Sequence, residues 1–293
     1  MIKLKIILLA LTISWGCTNP NESEMYLMSF NIRYDNPEDG KNRWSNRLPI
    51  IDKYLNGRKP DIVGMQEVTY RQLTDLISVL HDYQYVGKGR EDGKTKGEHT
   101  PIFWKQERFS LLENSQFWLS ENPESIGIPG WDAALPRIVT WVKLLDNHTN
   151  QSIWLFNTHF DHKGIIARDK SIELIKDKIL EIAPSGPVVV MGDFNIRREH
   201  HKFGDSIYYH LINTFKDEAG LVPSENYAKE VVNKGTSGNG FDEKWKTRPP
   251  YSVDYIFTNE YFSIHTHNLD YIIEDEIFIS DHWPVTSLVS LKY

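Results

Sequence analysis

The sequence predicts an α/β fold in which two mixed β-sheets pack face to face with helices outside, a four-layer αββα sandwich. A strand–helix–strand pattern occurs twice, around residues 25–67 and again around residues 153–195. The helical segments each have one apolar face, and many other segments are β-prone. Polar residues follow several strands, and strand ends are where a sheet presents side chains to a shared cleft. We therefore expect the functional site at one rim of the sandwich.

In the first half of the chain, strands and helices alternate. Met25–Ile32 alternates as a strand does, whereas Arg43–Asn56 and Tyr70–Leu80 carry apolar residues at helical spacing. Three positions of the second helix are expected to face the core: Leu73, Ile77 and Leu80. Four further segments are predicted strands: Asp61–Gln66, Tyr83–Gly87, Ile102–Lys105 and Phe109–Trp118.

The second half begins with a predicted strand pair, Ile138–Leu145 and Ile153–His159, which is rich in Val, Ile and Trp. The longest helix is predicted over Ile165–Ile182, because isoleucines recur along one side of it. The other predicted elements are one helix and four strands: helix Ile207–Phe215 and strands Val188–Met191, Val253–Thr258, Phe262–His267 and Val285–Leu291. Three long loops connect them: 88–99, 121–136 and 223–250.

Composition and charge set broad limits on function. The chain has 293 residues, of which 40% are hydrophobic and 25% charged, which is enough material for a large core. The net charge of −7 gives no general electrostatic attraction to nucleic acid. A local basic groove or a bound divalent cation would offset the repulsion between this negative net charge and nucleic acid.

Residues 1–17 resemble a bacterial lipoprotein signal. Lys3 and Lys5 precede a short apolar stretch that ends at Cys17, the sole cysteine of the chain. We expect Cys17 to carry a lipid, so that the protein is exported and membrane-anchored in the periplasm or at the cell surface. The alternative is an ordinary cleaved signal peptide and a secreted protein. Residues 18–24 are a predicted tether, and residues 25–293 are predicted to form one domain.

Side chains suited to metal binding and to proton transfer cluster at the predicted strand ends. The motifs are Asn31, Gln66-Glu67, Asn157-Thr158-His159, Gly192-Asp193-Phe194-Asn195, Val253-Asp254-Tyr255 and Ser280-Asp281-His282. Carboxylate and amide oxygens suit a hard cation, and imidazoles beside it can transfer protons. A phosphate ester is a negatively charged reaction centre whose charge must be neutralised before a nucleophile attacks. The combination therefore indicates phosphate ester hydrolysis.

In this order and spacing, the motifs resemble those of the endonuclease/exonuclease/phosphatase superfamily. That family includes deoxyribonuclease I, polynucleotide deadenylases, neutral sphingomyelinases and inositol-phosphate phosphatases. The resemblance spans nearly all of residues 25–290, and the segment Tyr34–Gly40 with Trp44 and Arg47 resembles a bacterial secreted branch. It implies the deoxyribonuclease I-like αββα sandwich and a Mg²⁺-dependent hydrolase that uses water directly, without a covalent intermediate. Mn²⁺ is the alternative cation.

The cation is expected to bind Glu67, Asn31 and Asp281. Mg²⁺ takes oxygen ligands and keeps several waters, and a strand-end carboxylate is the strongest ligand of this set. Asp281 either completes the shell or acts through a water. The family resemblance implies the same roles for these three residues.

Other residues are expected to activate the attacking water and to bind the substrate phosphate. Asp193 is expected to orient and deprotonate the attacking water, and Asn195 to hold Asp193 or to donate to a phosphate oxygen. His159 and His282 are suited to donate to phosphate oxygens and to the leaving group. Glu98 is expected to be the partner of His159, and the family resemblance implies two further roles: Asp254 as the partner of His282 and Arg137 as a contact to the substrate phosphate.

Three functions follow from these assignments. We favour a phosphatase or phosphodiesterase that acts on sugar, inositol or lipid-headgroup phosphates, because the chain is acidic and predicted to be exported. The alternative is a DNA or RNA endonuclease or exonuclease. An inactive surface-binding module is less favoured, since such a protein would be expected to lack Glu67, Asp193 or one of the histidines. The sequence contains no signal for an oligomeric state.

Overall fold

A computed structural model describes residues 23–197, 201–247 and 252–292. Cys17 and the predicted signal peptide lie outside these residues, as does most of the predicted tether. The first strand begins at Glu24, the last residue assigned to that tether. Within the described ranges, no helix has the length and apolar character needed to cross a membrane.

Fifteen strands are found in the described residues. They are β1 (Glu24–Asn31), β2 (Ile62–Gln66), β3 (Tyr83–Val86), β4 (Ile102–Lys105), β5 (Phe109–Trp118), β6 (Ile138–Asp146), β7 (Gln151–His159), β8 (Val188–Asp193), β9 (Val222–Pro223), β10 (Glu230–Val231), β11 (Asp254–Thr258), β12 (Phe262–Leu269), β13 (Ile273–Glu274), β14 (Ile277–Phe278) and β15 (Val285–Leu291). The helices of the same residues are α1 (Trp44–Arg58), α2 (Tyr70–Val79), α3 (Ile165–Ile182), α4 (His201–Ala219) and α5 (Ser224–Tyr227), with 3₁₀ turns at Pro37–Asn42 and Glu243–Thr247.

Two mixed sheets form the centre of the fold, as the sequence predicted. The first has the strand order β10-β12-β15-β1-β2-β4-β3, and the second has the order β5-β6-β7-β8-β11-β9. Strands β1 and β2 pair in parallel through the crossover helix α1, and β7 and β8 pair in parallel through α3. These two crossovers are the predicted strand–helix–strand units. Each unit directs the carboxyl ends of its two strands to the same rim.

Three apolar clusters separate the four layers. The central cluster joins the sheets, with Leu27 and Val289 of the first sheet and Leu155 and Val189 of the second among its members. A second cluster packs α1 and α2 on the outer face of the first sheet. A third packs α3 and α4 on the outer face of the second sheet. The chain therefore forms an αββα sandwich in which side chains of both sheets also meet at one rim.

Some sequence expectations about individual elements were wrong. Ile77 of α2 is 41% exposed, and Leu76 is buried instead, because the inward face of this helix runs through Gln72, Leu73 and Leu76. Helix α4 is longer at both ends than the predicted Ile207–Phe215. The short strands β9 and β10 and helix α5 occupy a segment read as loop. They have two to four residues each, too few to show a hydrophobic period.

Candidate active site

The predicted site residues converge on one rim, where the two sheets meet. Asn31 ends β1, Glu67 directly follows β2, and Asp281 and His282 precede β15, all in the first sheet. The second sheet supplies the others at the same rim: Arg137 before β6, His159 at the end of β7, Asp193 at the end of β8 and Asp254 at the start of β11. Because β8 and β11 are antiparallel, Asp254 lies directly opposite Asp193 in the register.

Glu67 is held by two hydrogen bonds at the end of β2. Its backbone is left-handed (φ 61°), which turns the side chain toward the rim. Asn31 Nδ2 donates to Glu67 Oε1 at 3.1 Å, and the Tyr34 N–H donates to Oε2 at 3.0 Å. Burial acts to raise the pKa of Glu67, but the positive charge of His282 and these hydrogen bonds outweigh it and hold the pKa below its usual value. Glu67 is therefore ionised at neutral pH, as a carboxylate ligand of a cation must be.

Asp193 lies at the centre of the site and is 1% exposed. Its Oδ1 accepts from the Asn195 N–H at 2.8 Å, and its Oδ2 accepts from Asn31 Nδ2 at 3.0 Å. Burial and the charge of Asp254 raise the pKa of Asp193 to about 7. A carboxyl group with a pKa near neutrality is suited to accept a proton from water.

His282, which is partly exposed to the cleft, and the buried Asp254 form a pair across the two sheets. His282 Nδ1 donates to Asp254 Oδ2 at 2.8 Å, and its Nε2 lies 3.9 Å from Asp193 Oδ2. Burial acts to lower the pKa of His282, but the charges of Asp254 and Asp193 hold it well above the usual value. Ser237 Oγ accepts from the Val253 and Asp254 backbone N–H groups and fixes this strand end. The sequence analysis missed Ser237.

His159 has a different partner from the one expected. Asn195 Nδ2 lies 3.1 Å from His159 Nε2 and 3.0 Å from the Phe160 carbonyl oxygen. An amide N–H₂ only donates, so His159 Nε2 accepts and the ring proton is on Nδ1. Nδ1 has no hydrogen-bond partner among the described residues, and its nearest carboxylate oxygen, Glu98 Oε2, is 3.8 Å away. Burial and the positive charge of Arg137 hold the pKa of His159 well below its usual value.

Glu98 forms its hydrogen bonds with Arg90 rather than with His159. Arg90 Nη1 and Nη2 donate to the two oxygens of Glu98 at 2.7 and 3.0 Å, a bidentate pair. The structure thus brings Glu98 to the cleft and within ion-pair distance of His159, but not within a hydrogen bond. Its orienting role stays a prediction, and Asn195 makes the observed contact to the ring.

A cleft of about 460 Å³ opens onto these groups. Seven predicted residues line it: Glu67, Glu98, Arg137, His159, Asp193, Asn195 and His282. The other three stand behind the lining, with Asn31 bonded to Asp193, Asp254 bonded to His282, and Asp281 Oδ2 3.7 Å from Arg33 Nη1. Of the other lining residues, Tyr34 begins the segment Tyr34–Gly40 that the sequence had marked, whereas three were not predicted: Arg33, Leu135 and His162. His162 follows the predicted His159 motif by three residues, which is the one sequence signal that pointed toward it.

Two sets of side chains fit a cation. Asp193, Asp254 and His282 each place one ligand atom within 4.8 Å of the others, but His282 Nδ1 and Asp254 already satisfy each other. The second set, Asn31, Glu67 and Asp281, offers only oxygen ligands from its side-chain carbonyl and carboxylates, as Mg²⁺ prefers. Burial and the negative charge of the neighbouring Glu67 raise the pKa of Asp281 to about 6. A divalent cation would relieve the repulsion between these two carboxylates. By donor type the second set suits a hard cation better, although the Asn31 carbonyl oxygen also accepts from the Arg33 N–H at 3.0 Å.

Comparison with known proteins adds independent information. A family profile described as the Endonuclease/Exonuclease/phosphatase family matches residues 28–282. A solved endonuclease/exonuclease/phosphatase structure from Bacteroides vulgatus is 34% identical, with a TM-score of 0.84, and the match covers 92% of this chain and 99% of that one. The mannosyl-6-phosphatase of Bacteroides thetaiotaomicron is 29% identical, with a TM-score of 0.78, over 92% of this chain and 100% of that one. A probable RNA exonuclease of Saccharomyces cerevisiae is 28% identical over 176 residues, which are 56% of this chain and 34% of the yeast protein.

Proposed function

Because the chain belongs to the endonuclease/exonuclease/phosphatase family, whose members hydrolyse phosphate ester bonds, we propose that it is a divalent-metal-dependent phosphatase or phosphodiesterase for phosphorylated sugars, inositols or lipid headgroups. The observation that carries this proposal is Asp193, a buried carboxyl group with a pKa near 7 between two imidazoles in a single cleft. The similarity to a mannosyl-6-phosphatase over nearly the whole chain supports a small phosphorylated substrate.

The arrangement assigns a role to each group in a direct attack by water. The oxygen of a water molecule attacks phosphorus while Asp193 accepts a proton from that water, and the bond between phosphorus and the ester oxygen breaks. His282, held protonated by Asp254, donates its Nε2 proton to the departing oxygen. Asn31, Glu67 and Asp281 would hold Mg²⁺, or alternatively Mn²⁺, which when bound neutralises charge on the phosphate. Arg137 donates to phosphate oxygens from the second sheet.

A ³¹P NMR time course tests the proposed activity. The purified protein and Mg²⁺ are mixed with inositol phosphates, sugar phosphates, a lipid phosphodiester and DNA and RNA oligonucleotides. We expect the resonances of one small-molecule class to decay, EDTA to stop the decay, and Asp193→Asn to slow it by about 1,000-fold or more. No decay of any resonance at high protein concentration would contradict the proposal and favour an inactive binding module.

A nuclease is the second candidate, favoured by the similarity to a probable RNA exonuclease. The net charge of −7 argues against it, since nucleic acid binding draws on Lys and Arg contacts to phosphates. The same experiment separates the two functions, because decay of the oligonucleotide resonances alone would establish the nuclease.

Export and lipid attachment at Cys17 are a separate proposal, supported by the basic and apolar pattern of residues 1–17. We expect the protein to sediment with membranes in the native host and to be released from them by Cys17→Ala. A wild-type protein found in the soluble fraction would contradict lipid attachment.

A further inference from the structure

Arg137 lines the cleft and has one buried hydrogen-bond donor without an acceptor among the described residues. The side chain is 4% exposed and lines the cleft. Its Nε donates to Asp161 Oδ2 at 3.4 Å, and its Nη2 donates to His162 Nδ1 at 3.0 Å. Nη1 is buried and has no partner among the described residues. Because an unsatisfied buried donor is unfavourable, this nitrogen is suited to an anionic oxygen of a ligand.

Asp161 fixes the direction in which Arg137 points. Its Oδ1 accepts from the backbone N–H groups of Lys163 and Gly164 at 2.9 and 2.7 Å, and its backbone carbonyl accepts from Arg168 Nη1 at 2.9 Å. Burial acts to raise the pKa of Asp161, but these backbone bonds and Arg137 outweigh it and lower the pKa to about 2. The carboxylate therefore stays ionised and holds the guanidinium.

The contact from Arg137 also sets the tautomer of His162. A guanidinium has no acceptor, so His162 Nδ1 must accept the bond and the ring proton must be on Nε2. Burial and the charge of Arg137 lower the pKa of His162, which makes the ring neutral at pH 7. The side chain is 45% exposed and lines the cleft, so its Nε2–H is free to meet a ligand.

We propose that Arg137 Nη1 and His162 Nε2 form a terminal-phosphate clamp, which binds an oxygen that only a phosphomonoester has and makes this enzyme a phosphomonoesterase. This inference rests on the proposed function and narrows its substrate class. A monoester has three non-bridging oxygens. One faces the cation-binding carboxylates, one faces the histidines beside Asp193, and the clamp receives the third.

A phosphodiester carries a second ester group in place of that third oxygen. An ester oxygen is a weak acceptor with little negative charge, so it gains little from a guanidinium and an imidazole N–H. The clamp therefore favours the monoester by charge.

A matched pair of substrates tests the clamp. p-Nitrophenyl phosphate and its methyl ester share one leaving group and differ only in the third oxygen. We expect the wild-type kcat/KM to favour the monoester by about 100-fold, because the clamp makes hydrogen bonds to a charged oxygen. Equal or faster hydrolysis of the methyl ester would overturn the inference while leaving the proposed hydrolase function intact.

Two variants of His162 distinguish phosphate binding by the imidazole ring from positioning of Arg137 by that ring. His162→Asn keeps an acceptor near the Nδ1 position for Arg137 but removes the Nε2 donor, and His162→Phe removes both. We expect His162→Asn to lower kcat/KM for the monoester by about 10-fold or more, mainly through KM, and to change the diester by less than about two-fold. Wild-type monoester kinetics in His162→Asn would show a supporting role only and overturn the clamp. His148→Asn, at an exposed turn histidine, is the control.

Binding of inorganic phosphate tests the clamp without turnover. Phosphate binding measured by calorimetry with Mg²⁺ present should weaken by about 10-fold in His162→Asn and remain unchanged in the His148→Asn control. Long-range ¹H–¹⁵N correlation spectra should show His162 protonated on Nε2 alone. Equal phosphate affinity in the two variants, or a proton on Nδ1, would overturn the inference even if neither ester were hydrolysed.

Discussion

His159 and His282 share one cleft, yet their neighbours assign them opposite protonation states. His282 donates to a buried carboxylate, and its pKa is held well above the usual value despite burial. His159 accepts from the amide of Asn195, and burial together with Arg137 holds its pKa well below the usual value. The protein thus builds one cationic proton donor and one neutral imidazole from the same residue type.

Asp254→Asn tests the origin of the His282 charge. The variant keeps an acceptor for His282 Nδ1 but removes the negative charge, so the pKa of His282 should fall. Because His282 is the proposed acid, the basic limb of the kcat/KM profile should move to lower pH, with kcat/KM reduced by about 10- to 1,000-fold at pH 8. The measurement is the pH profile with p-nitrophenyl phosphate and Mg²⁺. An unmoved basic limb would refute the assignment, and Asp217→Asn, at an exposed position, is the control.

The convergence of the site residues and the pairing of Asp254 with His282 could be predicted from the sequence, but other side-chain pairings could not. Glu67, Asp193 and His282 lie at or next to strand ends, and strand ends meet at a rim whatever the details of packing. The pairing of Asn195 with His159, and of Glu98 with Arg90, depends on side-chain directions that no local pattern contains. His162 was missed because a histidine in a loop has no periodicity to mark it.

The two sheets are joined behind the site by a buried amide pair. Gln66 Nε2 of β2 donates to Asn157 Oδ1 of β7 at 2.7 Å, and Asn157 Nδ2 donates to the carbonyls of Met65 and Pro101. Both amide side chains are fully buried. Strands β2 and β7 lie in different sheets, so this contact fixes how the carboxylate after β2 faces the imidazole at the end of β7.

Asn157→Ala should reduce stability strongly. The change removes the shortest hydrogen bond of the Gln66 amide and one donor to each of the two carbonyl groups, and it opens a buried cavity. We expect a loss of roughly 2–4 kcal/mol in the free energy of unfolding, measured by urea denaturation. Asn114→Ala, at an exposed position of β5, should change it by less than about 0.5 kcal/mol. A similar effect for both variants would refute the role of the amide pair.

His267 should make the packing of α5 against β12 sensitive to acid. It is 2% exposed, Ser224 Oγ lies 2.9 Å from its Nδ1, and burial lowers its pKa to about 4. The unfolded chain binds this proton more tightly than the folded one, so stability is full above about pH 6.5 and falls as the pH drops toward 4. The loss between pH 7 and pH 5 should be on the order of 2 kcal/mol. His267→Gln should show a smaller loss over this interval in urea denaturation, and an identical pH dependence would refute the prediction.

At the scale of the whole molecule, the site is divided between the two sheets. Asn31, Glu67 and Asp281, the predicted cation ligands, belong to the first sheet, whereas Asp193 and His159 belong to the second. The layered architecture could be predicted, because the long amphipathic helices and the two crossovers repeat over many residues. The short elements between α4 and β11 could not, since tertiary contacts rather than local pattern determine them.

Mg²⁺ should stabilise the whole fold. A cation that binds the folded state alone adds about 2.7 kcal/mol at 100 times its dissociation constant, or roughly 5–10 °C in Tm for a chain of this size. Glu67→Gln removes the ionised ligand and should abolish the shift, which differential scanning calorimetry with Mg²⁺ or EDTA would detect. A full Tm shift in Glu67→Gln would place the cation elsewhere, with Asp193, Asp254 and His282 as the alternative set.

The hydrogen bonds that cross between the sheets at this rim have a consequence for inactivation. Asn31 Nδ2 donates to Asp193 Oδ2 at 3.0 Å, and His282 Nδ1 donates to Asp254 Oδ2 at 2.8 Å, so a single hydrogen bond spans the two sheets at each point. A displacement of one sheet by a single ångström would move Asp193, the proposed proton acceptor, away from the proposed cation ligands while leaving every strand and helix formed. Catalysis should therefore be the first property to disappear under mild denaturing stress, well before secondary structure melts, which makes turnover a more sensitive gauge of core packing in this protein than circular dichroism.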